Sequence, residues 1–222
     1  MIIAAASAFY NRQPVDSAWE GIHCEREDGD VYITLDDPLE VIHVPAIPIK
    51  GQKTLTCKAI ERKEREKDNP LYAIYTFIQL NNPRGLLRIH RISNELSCIY
   101  HTHYPCTFSQ FRPKQTSLSN KNRIVSDLLE GLATLHQQKC ILPDLTSEDI
   151  YCTAQFNGTA VIGGLDSAQT RSQVTHKLCS PNVLALGKIL QTLFSEEKAR
   201  PSVIDAMLNP DAQTRITAKQ AQ

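Results

Sequence analysis

One stretch constrains the fold more than any other. Residues 124–168 read IVSDLLEGLATLHQQKCILPDLTSEDIYCTAQFNGTAVIGGLDSA. Ile124, Leu128, Leu129, Leu132 and Leu135 recur at the spacing of one helical face, which predicts a long amphipathic helix. The apolar pair Cys140 and Ile141 follows, then a tight polar turn, PDLTSED. Short strands are expected at 150–152 and 160–162, on either side of Asn157-Gly158. Asn-Gly between β-prone runs is a strong hairpin signal, because both residues tolerate positive φ.

The flanking regions carry shorter elements. Residues 16–20 suit a turn of helix with Trp19 as its apolar anchor. Strands are expected at 30–35 (DVYITL), 40–46 (EVIHVPA) and 54–60 (TLTCKAI), with Pro45 and Pro48 at an edge or strand end. Residues 61–68 (ERKEREKD) form a mixed charge run, read as a solvated helix start or linker. Asn69-Pro70 suits a helix entry, since proline fits the first turn, and 71–80 (LYAIYTFIQL) reads as a buried helix. A strand over 96–104 stops at Pro105, and 108–111 forms a short helical turn. Ser119 or Asn120 is the expected cap of the long helix. NVLALGKILQTLF, from Asn182, reads as a further buried helix.

With 222 residues, the chain makes one domain or a small two-lobed one. The formal net charge is zero, with no basic cluster and few aromatics, so neither nucleic acid nor an anionic membrane is an expected partner. No apolar run approaches the roughly 20 residues of a membrane span. The apolar start, MIIAAASAFY, lacks the basic region of a signal peptide. The seven cysteines are odd in number and include no CxxC pair. Cys57, Cys98 and Cys152 fall inside apolar strands, where a free thiol behaves as a small hydrophobe. A reducing, cytoplasmic setting is expected rather than a disulfide framework or a zinc site. The pair His101 and His103 is read as two exposed polar residues at a domain hinge.

The central stretch resembles the eukaryotic-type protein kinases. LEGLATLHQQKCILPDLTSEDI is similar to that family's helix and HRDLKPEN loop, VIGGLDSA to its DFG segment, and MLNPDAQTRITA to its closing segment. The resemblance covers about residues 40–222. It implies an α+β, two-lobed fold: an N-terminal extension over 1–28, a small antiparallel β lobe over 29–104 with one helix at 69–80, and a reduced helical lobe over 105–222.

Carried over position by position, the resemblance implies a degenerate site. Asp144 matches the catalytic-loop aspartate. Leu142 and Pro143 replace the His and Arg before it, and Thr146 replaces the loop lysine. Asp149 stands where a metal-binding Asn is expected. Gly164 replaces the DFG aspartate that holds magnesium, and glycine has no ligating side chain. Asp166 lies two residues later, on the same face of an extended segment. Lys58 matches the phosphate-gripping lysine of the third strand, or is an exposed strand residue. Its helical Glu partner is matched by Ala73, which cannot form an ion pair. Gly51 is the sole glycine where a phosphate-covering loop belongs, and branched and proline residues beside it block the approach of backbone N–H groups. Asn182 replaces the leading Asp of the buried helix. No APE motif or substrate-docking stretch fits between Asp166 and Asn182, so Arg215 loses the Glu it would pair with, and no room is left for the family's next helix between Phe194 and Pro201.

These losses imply a pseudokinase: a protein-interaction or allosteric regulatory module, with ATP and magnesium binding weak or absent and no catalytic residue beyond the Asp144 remnant. Its partner is expected to be a protein, either a true kinase or a regulatory complex. One alternative is an atypical transferase using Asp144, Asp149 and Asp166 to hold a cation. Asp144 then acts in catalysis, whereas its structural role would be to cap backbone N–H groups. Another is a structural domain of a larger complex, exposing an apolar patch where a helix is missing.

Overall fold

A computed structural model describes residues 22–27, 30–35, 55–59, 70–93, 98–111, 113, 116–152, 159–165, 167–195, 197 and 200–222. The elements expected over 16–20, 40–46 and 61–68, the Asn157-Gly158 turn and Asp166 lie outside these residues. The chain forms two compact units. One comprises residues 1–79 and 88–103, the other 80–87 and 104–222.

In the first unit, β1 (Ile22–Glu27) and β2 (Asp30–Leu35) form an antiparallel pair, with Ile22 opposite Leu35 and Glu27 opposite Asp30. A strand therefore lies inside the stretch expected as an N-terminal extension. A second sheet has the order β3-β5-β4, from β3 (Leu55–Ala59), β4 (Ile89–Ser93) and β5 (Cys98–Thr102). Its central strand buries Ile99 and Tyr100. The helix α1 (Pro70–Asn81) begins on Pro70, where the missing N–H is no loss. Leu71, Ile74, Tyr75 and Ile78 form its buried stripe. The helix side chain of Gln79 donates from Nε2 to the His90 carbonyl at 3.2 Å. His101 departs from expectation: it is buried, and its Nδ1–H donates to the Thr102 carbonyl at 2.8 Å. The bond satisfies Nδ1 of this buried ring on the central strand.

The second unit is built on α2 (Leu118–Gln137), which buries Ile124, Val125, Leu128, Leu129, Leu132 and Leu135. Its cap is Ser117, ahead of the two candidates in the sequence; the Ser117 hydroxyl accepts from the Asn120 N–H at 3.3 Å. The segment before Arg88 lies directly on this helix. A Cβ added at Gly85 would sit under 3.0 Å from the Asp127 carbonyl, and one at Gly131 under 3.0 Å from the Gly85 carbonyl. Gly85 also has φ of +76°, which disfavours any side chain there. Arg84 closes the contact with an ion pair to buried Asp127 at 2.5 Å.

The other face of the Gly85 segment pairs with a sheet of order β6-β8-β9, from β6 (Cys106–Thr107), β8 (Ile150–Cys152) and β9 (Ala160–Ile162). The Ile162 N–H donates to the Gly85 carbonyl at 2.8 Å, and the Leu87 N–H to the Ile162 carbonyl at 3.0 Å. The expected strands 150–152 and 160–162 are thus both present. β7 (Cys140–Ile141) pairs antiparallel with β10 (Gln169–Thr170). The helix α3 (His176–Leu193) starts ahead of the expected Asn182 and runs through Pro181. The short helices α4 (Ser202–Met207) and α5 (Ala218–Ala221) complete the unit.

Arg215 is buried at 4% exposure, and among the described residues no carboxylate forms an ion pair with it. Its guanidinium donates to the carbonyls of Asn209 (2.8 Å), Pro210 (3.3 Å) and Ser180 (3.0 Å) and to the Ser180 hydroxyl (2.7 Å). Between α3 and α4, the described residues line an open cleft of about 850 Å³. Apart from Phe194 its lining is polar, including Gln191, Ser195, Glu197, Arg200 and Asp205.

Candidate functional site

The loop 142–149 leaves β7 and returns into β8. It starts from a fixed point, because Leu142 is 1% exposed and its backbone is held at both polar atoms by one side chain. Asn182 Oδ1 accepts from the Leu142 N–H at 3.1 Å, while Asn182 Nδ2 donates to the Leu142 carbonyl. An amide side chain offers an acceptor and a donor at once, whereas an ionised Asp offers only acceptors and would fail the second bond. His136 Nε2 lies 3.3 Å from the same Asn182 oxygen. Since that oxygen accepts, Nε2 carries the proton. Burial lowers the His136 pKa, and the bond to Asn182 offsets part of that shift. The Leu142 side chain fills core where the resemblance implies an imidazole.

Pro143 and Asp144 then turn outward, both exposed. The Asp144 carboxylate makes no hydrogen bond among the described residues, so it is not the cap of this loop. Asp149 is. Its Oδ2 accepts from the Thr146 N–H at 2.7 Å and from the Thr146 hydroxyl at 2.9 Å, while the Thr146 hydroxyl accepts from the Glu148 N–H at 3.3 Å. This reciprocal cap forms a 3₁₀ turn over Ser147–Asp149. Glu148 reaches the Thr107 hydroxyl at 2.9 Å. Hydrogen bonds from Ser109 and then Thr107 hold its carboxyl below the usual range.

Gly164 is drawn against the same turn. The N–H groups of Gly163 and Gly164 donate to the Asp149 carbonyl at 2.8 and 3.0 Å. A Cβ at Gly164 would then lie under 3.0 Å from Asp149 Oδ1, Cβ and Cγ. The carboxylate occupies the space a side chain at 164 would need. Magnesium in a site of this kind needs a carboxylate projecting from 164 and a free ligand at 149. Here 164 has no side chain, and one oxygen of Asp149 is committed to the turn. These residues do not fit the metal.

The remaining predicted positions are more scattered. Ala73 lies exposed on α1. Lys58 is on β3, opposite Ile99, and both belong to the first unit, whereas Asp144, Asp149 and Gly164 belong to the second. Among the described residues no three His, Cys, Asp or Glu side chains converge as a metal site. His136 had no signal as a site residue; its distance from Asn182 in sequence hides the link.

A small antiparallel sheet with one helix, and a helical unit whose capped loop starts at a backbone held by a buried asparagine, define the class: this is a protein kinase-like α+β fold. No protein-family model matches the sequence, and no curated protein does. Among solved structures it is similar to a divergent kinase lacking the glycine-rich loop, which regulates membrane ultrastructure of the Toxoplasma parasitophorous vacuole. That likeness has 15% identity and a TM-score of 0.51, covering 76% of this chain and 66% of the other. It is also similar to the Rad53 kinase domain, solved with SCD2, at 14% identity and a TM-score of 0.58, covering 80% and 83%. At these identities the likeness shows the fold alone.

Proposed function

We propose that this chain is a pseudokinase, a kinase-shaped body that acts through protein binding or allosteric regulation and does not transfer phosphate. The observation that carries this reading is the pairing of Gly164 with Asp149. Transfer needs a metal bridging the phosphates, and here the ligand is missing while a neighbouring carboxylate fills its place. The Toxoplasma protein is itself described as a divergent kinase that lacks the glycine-rich loop. Loss of that loop is therefore weaker support than loss of the metal carboxylate.

The atypical-transferase reading keeps one favourable feature, an exposed Asp144 whose carboxylate is free of bonds to described residues. Among the described residues its second carboxylate is partly committed, because Asp149 Oδ2 is held by Thr146. The partner of a pseudokinase would be a protein, a true kinase or a regulatory complex, in a reducing cytoplasmic setting. Among the described residues no helix is long and apolar enough to cross a membrane, and Cys106, Cys140, Cys152 and Cys179 are free thiols. Incubation with labelled ATP, magnesium and candidate protein substrates tests the reading. No label transfer is expected. Transfer that disappears in Asp144→Ala would overturn it.

A further inference from the structure

We propose that Cys106 and Cys152 are a redox modification site, closing reversibly into an intramolecular disulfide with a low-molecular-weight disulfide as oxidant. The register of β6 on β8 sets Cys106 directly opposite Cys152. Opposed residues of an antiparallel pair project to the same face. Their Cα atoms are about 4.5 or 5.5 Å apart, depending on the pair type, and both values fall in the range a disulfide spans. The Cys106 sulfur already leans across the ladder, 3.9 Å from the Cys152 carbonyl oxygen. The other described thiols have no such neighbour: Cys140 faces Thr170 across its ladder, and Cys179 lies on a helix.

Exposure orders the two steps. Cys106 is half-buried and Cys152 fully buried, so only Cys106 is open to a reagent. Its thiolate attacks one sulfur of the small disulfide. That S–S bond breaks and the first small thiol leaves, taking up a proton. Cys152 then loses its proton and attacks the Cys106 sulfur, expelling the second small thiol. Two protein thiols are oxidised by two electrons in all, and one small disulfide is reduced to two thiols. Burial pushes the Cys152 thiol up to about 12 and raises that of Cys106, so both thiolates are scarce at neutral pH and the exchange runs faster at higher pH. The bond would tie the start of the second unit to the strand that follows Asp149.

The test treats the full chain with glutathione disulfide at mildly alkaline pH, then alkylates, digests and maps it without reduction. A linked Cys106–Cys152 peptide pair is expected, reversed by dithiothreitol, with a rise of several degrees in the thermal midpoint. Cys106→Ser should abolish the link, and Cys152→Ala should leave glutathione trapped on Cys106. A persistent adduct on Cys106 in the unaltered chain, no reaction at either residue, or a link from either to another cysteine would overturn the proposal.

Discussion

A side chain at position 164 would have to share space with the Asp149 carboxylate. Gly164→Asp, the substitution that restores the family's metal ligand, should therefore destabilise the fold by about 1–3 kcal/mol, the range for overpacking. Urea denaturation checks this, and the same variant should gain no magnesium-dependent stabilisation. Asn182 offers a second test at this scale. Asn182→Ala leaves the Leu142 N–H and carbonyl without their partner, at a cost of about 1–3 kcal/mol for each orphaned group. His136 adds a pH dependence. Its folded pKa lies below the unfolded value near 6.5, so in the window between them the unfolded state binds more protons. Stability should be unaffected by this group above that window and should fall as pH drops through it. Denaturation midpoints across that range should lose much of this slope in His136→Gln.

Among the elements, the contact of the Gly85 segment with α2 is the most exacting. Gly85→Ala meets both a positive φ and the Asp127 carbonyl. It should cost several times more than Ser117→Ala, which removes one helix cap at about 1 kcal/mol; paired denaturation curves compare the two. The sequence made α2, β8 and β9 legible because their signals are local: a helical stripe, and β-prone runs around Asn-Gly. Its resemblance to the kinases also singled out Gly164, the position the structure sets against Asp149. The Gly85–Gly131 crossing was not legible, since two glycines far apart in sequence carry no periodic signal and their meaning lies in the backbones they bring together. The role of Asn182 was hidden for the same reason: as a replaced Asp it reads as a loss, while its amide supplies a bond that carboxylate could not. Ser117 does not stand out as a cap in the sequence, because two other cap-type residues, Ser119 and Asn120, follow it. Arg215 was legible as an arginine without its Glu, but four backbone and hydroxyl bonds to its guanidinium became visible only with the fold.

At the scale of the whole molecule, the proposed pseudokinase is a kinase-like fold that stands without metal chemistry. The second unit keeps the helix, capped loop, hairpin and buried arginine of a kinase-like body, and each is held by interactions that need neither nucleotide nor magnesium. Such a body retains shape and surface, which is what a regulatory module requires. A ligand that binds only the native state at a hundred times its dissociation constant stabilises it by about 2.7 kcal/mol, so nucleotide binding would be plainly visible. Isothermal titration of the full chain with ATP, with and without magnesium, is the most direct measurement. The account predicts no saturable, magnesium-dependent heat. A saturable isotherm that requires magnesium, abolished by Asp149→Ala, would contradict it.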